Sequence, residues 1–433
     1  MIRAGSVLLA LAALLFTVAV ASRERMAAGQ VPAGPRLSAM AQLGAKMFFD
    51  PALSASGQKS CASCHDPAHH FGPPDGRSVQ SGGPHGELSG IRAVPSLAYL
   101  DRTPPFTVGP ESLYDQDAIV AVPGTVNAGA KNPLGPLKGQ AARKHAGQPN
   151  DVPQGGLFWD GRADTFQQQA LGPLMSPFEM ANKDTASLVA KLRKATYAED
   201  FRRLFGADIF DHPTRALDEA GFALSRFQIE DPRFHPYSSK YDAYLHGHAT
   251  LTPAERRGLA LFNDPDKGNC AACHLDKPTP DGQPPVFTDH EYEALAVPRN
   301  PAIPANHDPD YYDLGICGPL RHDAYAHQNA NCGLFKTPTL RNVATRRVFF
   351  HNGVYHSLKQ VLRFYADRDT RPGEIYPRRA DGSIAYYNDL PPRYRRNIDR
   401  IDAPLNRKKG DKPALTDAEM DDIIAFLKTL TDR

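Results

Sequence analysis

The sequence predicts an all-α fold built from two related helical units and long loops, and three observations predict it. No stretch of the 433 residues alternates apolar and polar side chains long enough to mark a sustained sheet. Amphipathic helical spacing recurs along the chain, and 39 prolines with 34 glycines require many turns between the helices. One design then appears twice: Gly44-Ala45-Lys46-Met47-Phe48-Phe49-Asp50-Pro51 and Gly258-Leu259-Ala260-Leu261-Phe262-Asn263-Asp264-Pro265 each precede a Cys-x-x-Cys-His run.

The N-terminus has Arg3, an apolar run from Val7 to Val20, and Ala19-Val20-Ala21 before Ser22. A positive start, a short apolar stretch and a small-x-small site predict a secretory signal over 1–21, and therefore a periplasmic protein. If the segment stayed uncleaved it would act as a membrane anchor, being near the shortest span that crosses a bilayer. Residues 22–35 read as a linker.

From Leu37, apolar residues at Met40, Leu43 and Met47 predict a helix that stops where Pro51 blocks continuation. Cys61-Ala62-Ser63-Cys64-His65 follows, and its counterpart is Cys270-Ala271-Ala272-Cys273-His274. Two thiols at this spacing form thioethers to the vinyl groups of one haem, and the next His supplies an imidazole to iron. Two thiol pairs would also make a tetrahedral zinc site. The His ending each run favours two covalently bound haem c groups, and export through the leader fits that attachment.

Between the runs lie a Pro/Gly-rich insertion at 101–156 and helical spacing over 185–205 and 214–228. Thr252-Pro253-Ala254-Glu255 is a capping box with Pro at the first helical position. Long loops are expected at 287–331 and 367–413. Ser357-Leu358-Lys359-Gln360 reads as another capping box, and Thr416-Asp417-Ala418-Glu419 caps a last helix with the apolar face Met420, Ile423, Ile424, Leu427 and Leu430. The boundaries are an N-terminal unit over 36–246 and a C-terminal unit over 247–433, each a cytochrome c-like haem domain. Cys317 and Cys332, fifteen apart, are expected to form a disulfide outside the cytoplasm. Near-balanced charge, +2 overall with acids and bases interspersed, gives no nucleic-acid footprint.

The second axial position on each iron separates electron carriers from catalysts. After His274 the only methionine is Met420, on a core-facing stripe. Leu358, Val361, Leu362 and Tyr365 share one helical face, so Tyr365 points inward, either as a core tyrosine or as an oxygen ligand to iron.

The segment from Leu43 to His65, Phe158-Trp159-Asp160-Gly161-Arg162, Pro177-Phe178-Glu179-Met180, Phe335-Lys336-Thr337-Pro338-Thr339-Leu340-Arg341-Asn342 and Phe350-His351-Asn352-Gly353 occur in this order. The combination resembles the bacterial di-haem cytochrome c peroxidase superfamily. Fourteen residues past the His of the His-Asn-Gly signature, where the resemblance would place a Met ligand, stands Tyr365. That substitution is similar to the MauG-like branch and implies His65 on one iron, with His274 and Tyr365 on the other.

The resemblance further implies Glu179 as acid and base for hydrogen peroxide, Trp159 as the aromatic between the haems, Gln169 and Pro173 around the peroxide pocket, and His351 at a haem propionate. It also implies an inter-haem calcium, but Ala93 replaces the Asn ligand, leaving backbone carbonyls near Arg346 and Val348 to contribute. His85, His69 and His70 are read as loop histidines, with the peroxide iron open. The implied activity is peroxide reduction with electrons from a small redox protein, a cytochrome c or a cupredoxin. The alternatives are oxidation of a protein substrate, or electron transfer without catalysis.

Overall fold

The computed structural model describes residues 37–110 and 151–433. The expected leader, linker and most of the 101–156 insertion lie outside the described residues. Among the described residues are eleven α-helices: α1 (Ala39–Phe48), α2 (Cys61–Cys64), α3 (Phe166–Met175), α4 (Thr185–Lys194), α5 (Ala198–Phe205), α6 (Pro213–Glu230), α7 (Lys240–Leu245), α8 (Pro253–Asn263), α9 (Leu358–Asp367), α10 (Pro372–Ile375) and α11 (Asp417–Lys428). Three antiparallel pairs complete them: β1 (Ser81–Gly82) with β2 (Leu88–Ser89), β3 (Thr107–Pro110) with β4 (Asp151–Gln154), and β5 (Tyr292–Glu293) with β6 (Phe335–Lys336). Strands this short carry no readable alternation, so the sequence did not announce them.

The repeated design produces one helix crossing twice. In α1, a Cβ on Gly44 would overlap the Ala223 carbonyl of α6 and lie 3.0 Å from Phe227 Cβ. In α8, a Cβ on Gly258 would overlap the Asp422 carbonyl of α11 and lie 2.9 Å from Phe426 Cβ. Four residues after each glycine, a buried phenylalanine meets the partner's: Phe48 and Phe227 have centroids 5.4 Å apart, Phe262 and Phe426 5.2 Å. The glycines thus let two backbones touch, and the aromatic pairs fill the space beside the contact.

Helix ends follow the expected chemistry in most places. Thr252 Oγ1 accepts from Glu255 N at 3.3 Å while Glu255 Oε2 accepts from Thr252 N at 2.6 Å. Thr416 and Glu419 repeat the exchange at the start of α11. At α9 only half of the expected box forms: Ser357 Oγ accepts from Gln360 N at 3.3 Å, but Gln360 Oε1 accepts from His356 N at 2.8 Å, one residue earlier than predicted.

The helical stretch over 185–205 is two helices. Ala195 turns extended after α4, and buried Tyr197 donates its hydroxyl to Asp50 Oδ2 at 2.6 Å, a tertiary contact that redirects the chain. The Cys317–Cys332 disulfide forms, with Cα atoms 4.9 Å apart. Met420 is buried in the apolar core of α8, α9 and α11, as its stripe implied.

Candidate functional site

Two cavities open among these elements, one beside each Cys-x-x-Cys-His run. The first, about 320 Å³, is lined by Cys61, Cys64, His65, Gln169, Pro173 and Glu179, among others. The second, about 280 Å³, is lined by Cys270, Cys273, His274, His351 and Tyr365, among others. Each thiol pair belongs to its own cavity, so the four sulfurs do not converge on one zinc.

The two histidines are held alike. His65 Nδ1 lies 3.2 Å from Phe71 O, and His274 Nδ1 lies 2.9 Å from Phe287 O. Both phenylalanines are buried and take left-handed backbone, at φ 55° and 56°, which turns their carbonyls onto the rings. Burial pushes both imidazoles down to about 4. With Nδ1–H donated to a carbonyl, Nε2 keeps its lone pair, the form a metal accepts. Burial also pushes the Cys61 and Cys270 thiols up to about 12, which disfavours thiolate and suits a neutral thioether.

Among the described residues no partner is hydrogen-bonded to the Tyr365 hydroxyl. Burial pushes that phenol well above its ordinary value, so a phenolate there would depend on a cation beside it. At the same cavity His351 Nε2 and Asp389 Oδ1 are buried without a hydrogen bond, while the His351 ring stacks on Phe335 at 3.6 Å. Apolar walls, an anchored imidazole and two thiols in each cavity fit one haem apiece.

Glu179 reaches the first cavity through a backbone built around it. Its N–H donates to Ser176 O at 3.1 Å, and its carbonyl accepts from Gly83 N at 2.9 Å. A Cβ on Gly82 would overlap the carbonyls of Phe178 and Glu179, so this strap fits only as glycine. Burial raises the Glu179 carboxyl above the usual carboxylate range, partly offset by a Ser176 hydrogen bond and the Arg162 charge. Helix α3 contributes buried Gln169 and, four residues later, Pro173. His85 is exposed and does not line the cavity.

Pro95, Leu97, Phe158, Trp159 and Gln169 line both cavities, which places the indole in their common wall. Trp159 Nε1 donates to Ala93 O at 2.9 Å, and Ala93 N donates to His351 O at 2.7 Å. Of the carbonyls left for calcium, that of Val348 is engaged: Arg346 Nε donates to Val348 O at 3.3 Å, while Nη2 donates to Val94 O at 3.0 Å. Among the described residues no cluster of three or more His, Cys, Asp or Glu forms a metal site. A cation there would compete with the Arg346 guanidinium for Val348 O.

Sequence reasoning gave no role to Arg346 or to Lys336. Lys336 is buried beside the second cavity, donates to Gly156 O, and is pulled down to about 8 by burial. Both lie in or next to the quoted signatures, but only the fold shows what faces them.

Comparison with known proteins follows this geometry. Residues 38–250 match the model of the di-haem cytochrome c peroxidase family. The chain is 33% identical over 411 residues to the methylamine utilization protein MauG of Paracoccus denitrificans, covering 93% of this chain and 90% of that one. It is 26% identical over 352 residues to the cytochrome c551 peroxidase of Nitrosomonas europaea, covering 79% and 78%. The crystal structure of the diheme peroxidase BthA from Burkholderia thailandensis superposes with a TM-score of 0.75 at 37% identity, covering 92% of this chain and 87% of that one. The chain is an oxidoreductase of the cytochrome c peroxidase type, and it belongs to the MauG-like branch of the di-haem cytochrome c peroxidase superfamily.

Proposed function

We propose that the protein reduces hydrogen peroxide in the periplasm with electrons from an external redox protein, using one covalently attached haem in 36–246 and another in 247–433. The observation that carries this reading is the Glu179 carboxyl, which lines the open cavity that also holds His65 and has its proton affinity raised by desolvation there. Cys61 and Cys64 would tether the first haem and Cys270 and Cys273 the second, with His65, His274 and Tyr365 as iron ligands. Bound haem supplies the peroxide-binding iron and a store of oxidising equivalents.

Glu179 accepts the proton of the near peroxide oxygen and returns it to the far one, which leaves as water. Gln169 and Pro173 shape the space in which that carboxyl works. Trp159, fixed by Ala93 O, lies where both sites share a wall and supports electron exchange between them. Tyr365 offers a hard oxygen donor, which favours the more oxidised states of the second iron. His351, whose Nε2 makes no hydrogen bond and lies 3.8 Å from Asp389 Oδ2, would turn that nitrogen to a haem carboxylate. Among the described residues no helix is long and apolar enough to cross a membrane.

The test is stopped-flow mixing of the haem-loaded protein with peroxide, with and without reduced cytochrome c or cupredoxin. Rapid peroxide loss with many donor turnovers is expected, and absence of any peroxide reaction would refute the reading. A second reading, oxidation of a protein substrate, is favoured by the 33% identity to MauG over nearly the whole chain. Fast peroxide reaction without oxidation of either donor would support that second reading instead.

A further inference from the structure

Among the described residues, most buried or half-buried arginines turned into the interior are paired with carboxylates. Arg92 binds Asp160 and Asp313 at 2.7 and 2.6 Å, Arg341 binds Asp242 at 2.6 Å, and Arg368 binds Asp369 at 2.6 Å. Arg346 is an exception. Among the described residues it has no carboxylate in ion-pair distance, and burial pulls the guanidinium down to about 10 with no neighbouring charge to offset it. Its Nε and Nη2 are spent on the Val348 and Val94 carbonyls, and Nη1 has no hydrogen-bond partner among the described residues.

The position of this unpaired charge is specific. Arg346 lines the second cavity, and its Nη2 donates to the carbonyl of Val94, which lines the first. By holding Val94 O it also fixes the 93–95 segment, whose Ala93 carbonyl anchors Trp159 and whose Pro95 lines both cavities. An uncompensated cation facing a cavity becomes costly once a ligand excludes the water there, unless that ligand brings the anion. The anion that a haem carries into such a cavity is a carboxylate.

We infer that Arg346 is a built-in cation of the second haem site, tied to the wall of the first through Val94 O: its guanidinium pairs with a haem carboxylate and occupies Val348 O, a carbonyl that a calcium ion would need. The protein is then calcium-independent. Its two sites are joined through a side chain that also sets the seat of Trp159. This assignment rests on haem occupancy and not on the peroxide reading, since neither of its measurements uses peroxide.

The first measurement is the calcium content of the haem-loaded protein, with electronic spectra before and after EGTA and after added calcium chloride. No stoichiometric calcium and unchanged spectra are expected. One tightly held calcium whose removal alters the spectra would overturn the assignment. The second is spectroelectrochemical titration of Arg346→Gln and Arg346→Lys. Loss of the positive charge in Arg346→Gln leaves a haem carboxylate uncompensated and should lower the midpoint potential of at least one haem. Arg346→Lys keeps the charge and should stay close to the parent. Unchanged potentials in Arg346→Gln, or an equal fall in both variants, would overturn the charge role. Should Arg346→Gln fail to bind haem, the Lys variant decides: parent-like loading and potentials support the assignment, and failure there too assigns Arg346 to packing.

Discussion

The two haem sites share a frame and differ in what closes them. In each, a helix crosses its partner at a glycine, a phenylalanine pair packs beside the crossing, and a left-handed phenylalanine turns its carbonyl onto the histidine of a Cys-x-x-Cys-His run. Beyond that frame the first cavity receives Glu179 and Pro173, and the second receives Tyr365 and His351. Repetition therefore accounts for attachment. Division of labour depends on segments that are not repeated.

The strongest way to break the equivalence of the frames is at the crossings. Gly44→Ala and Gly258→Ala each force a methyl into a partner backbone carbonyl, and each should cost about 3 kcal/mol, read from urea unfolding of the haem-loaded protein. Equal losses support one frame used twice; a loss at only one site would limit the repeat to sequence.

Next in size is Glu179→Gln, which should slow peroxide decay roughly a hundredfold, about 2.7 kcal/mol, with both haems attached. Because burial raises this carboxyl, the parent rate should climb with pH through an apparent pKa above the ordinary glutamate value, a dependence missing from the Gln variant. The stability sign runs the other way. An acid that prefers its neutral form in the folded protein supports the fold at low pH, and that support is lost as pH rises through the raised pKa. Denaturation profiles of the two proteins against pH would check this.

Tyr365→Phe should alter the electronic spectrum of one haem and leave the other unchanged. Identical spectra would reduce Tyr365 to core packing. The smallest effect is at a helix end: Thr416→Ala removes the hydroxyl that accepts from Glu419 N and should cost about 1 kcal/mol in urea. Ser357→Ala, where the reciprocal bond is displaced to His356, should cost less.

Much of the frame was legible because it is local. Capping at Thr252 and Thr416, the stop before Pro51 and the two thiol–histidine runs each depend on residues within a few positions of one another. The break between α4 and α5 was not legible, since Tyr197 bends the chain toward Asp50, nearly 150 residues earlier. The half-formed box at Ser357 failed for a local reason, Gln360 having two backbone donors within reach.

By itself the sequence determined that two Cys-x-x-Cys-His runs follow two equivalent helices, that Met420 belongs to a core stripe, and that Tyr365 faces inward. Resemblance added roles for Glu179 and Trp159. Only the tertiary structure decided that Glu179 shares a cavity with His65, that Trp159 stands in the wall common to both sites, and that Arg346 lines the second cavity with no carboxylate among the described residues in ion-pair distance. Short-range spacing is written in neighbouring residues, whereas which charge meets which cavity depends on contacts between segments hundreds of residues apart. Packing selects those contacts.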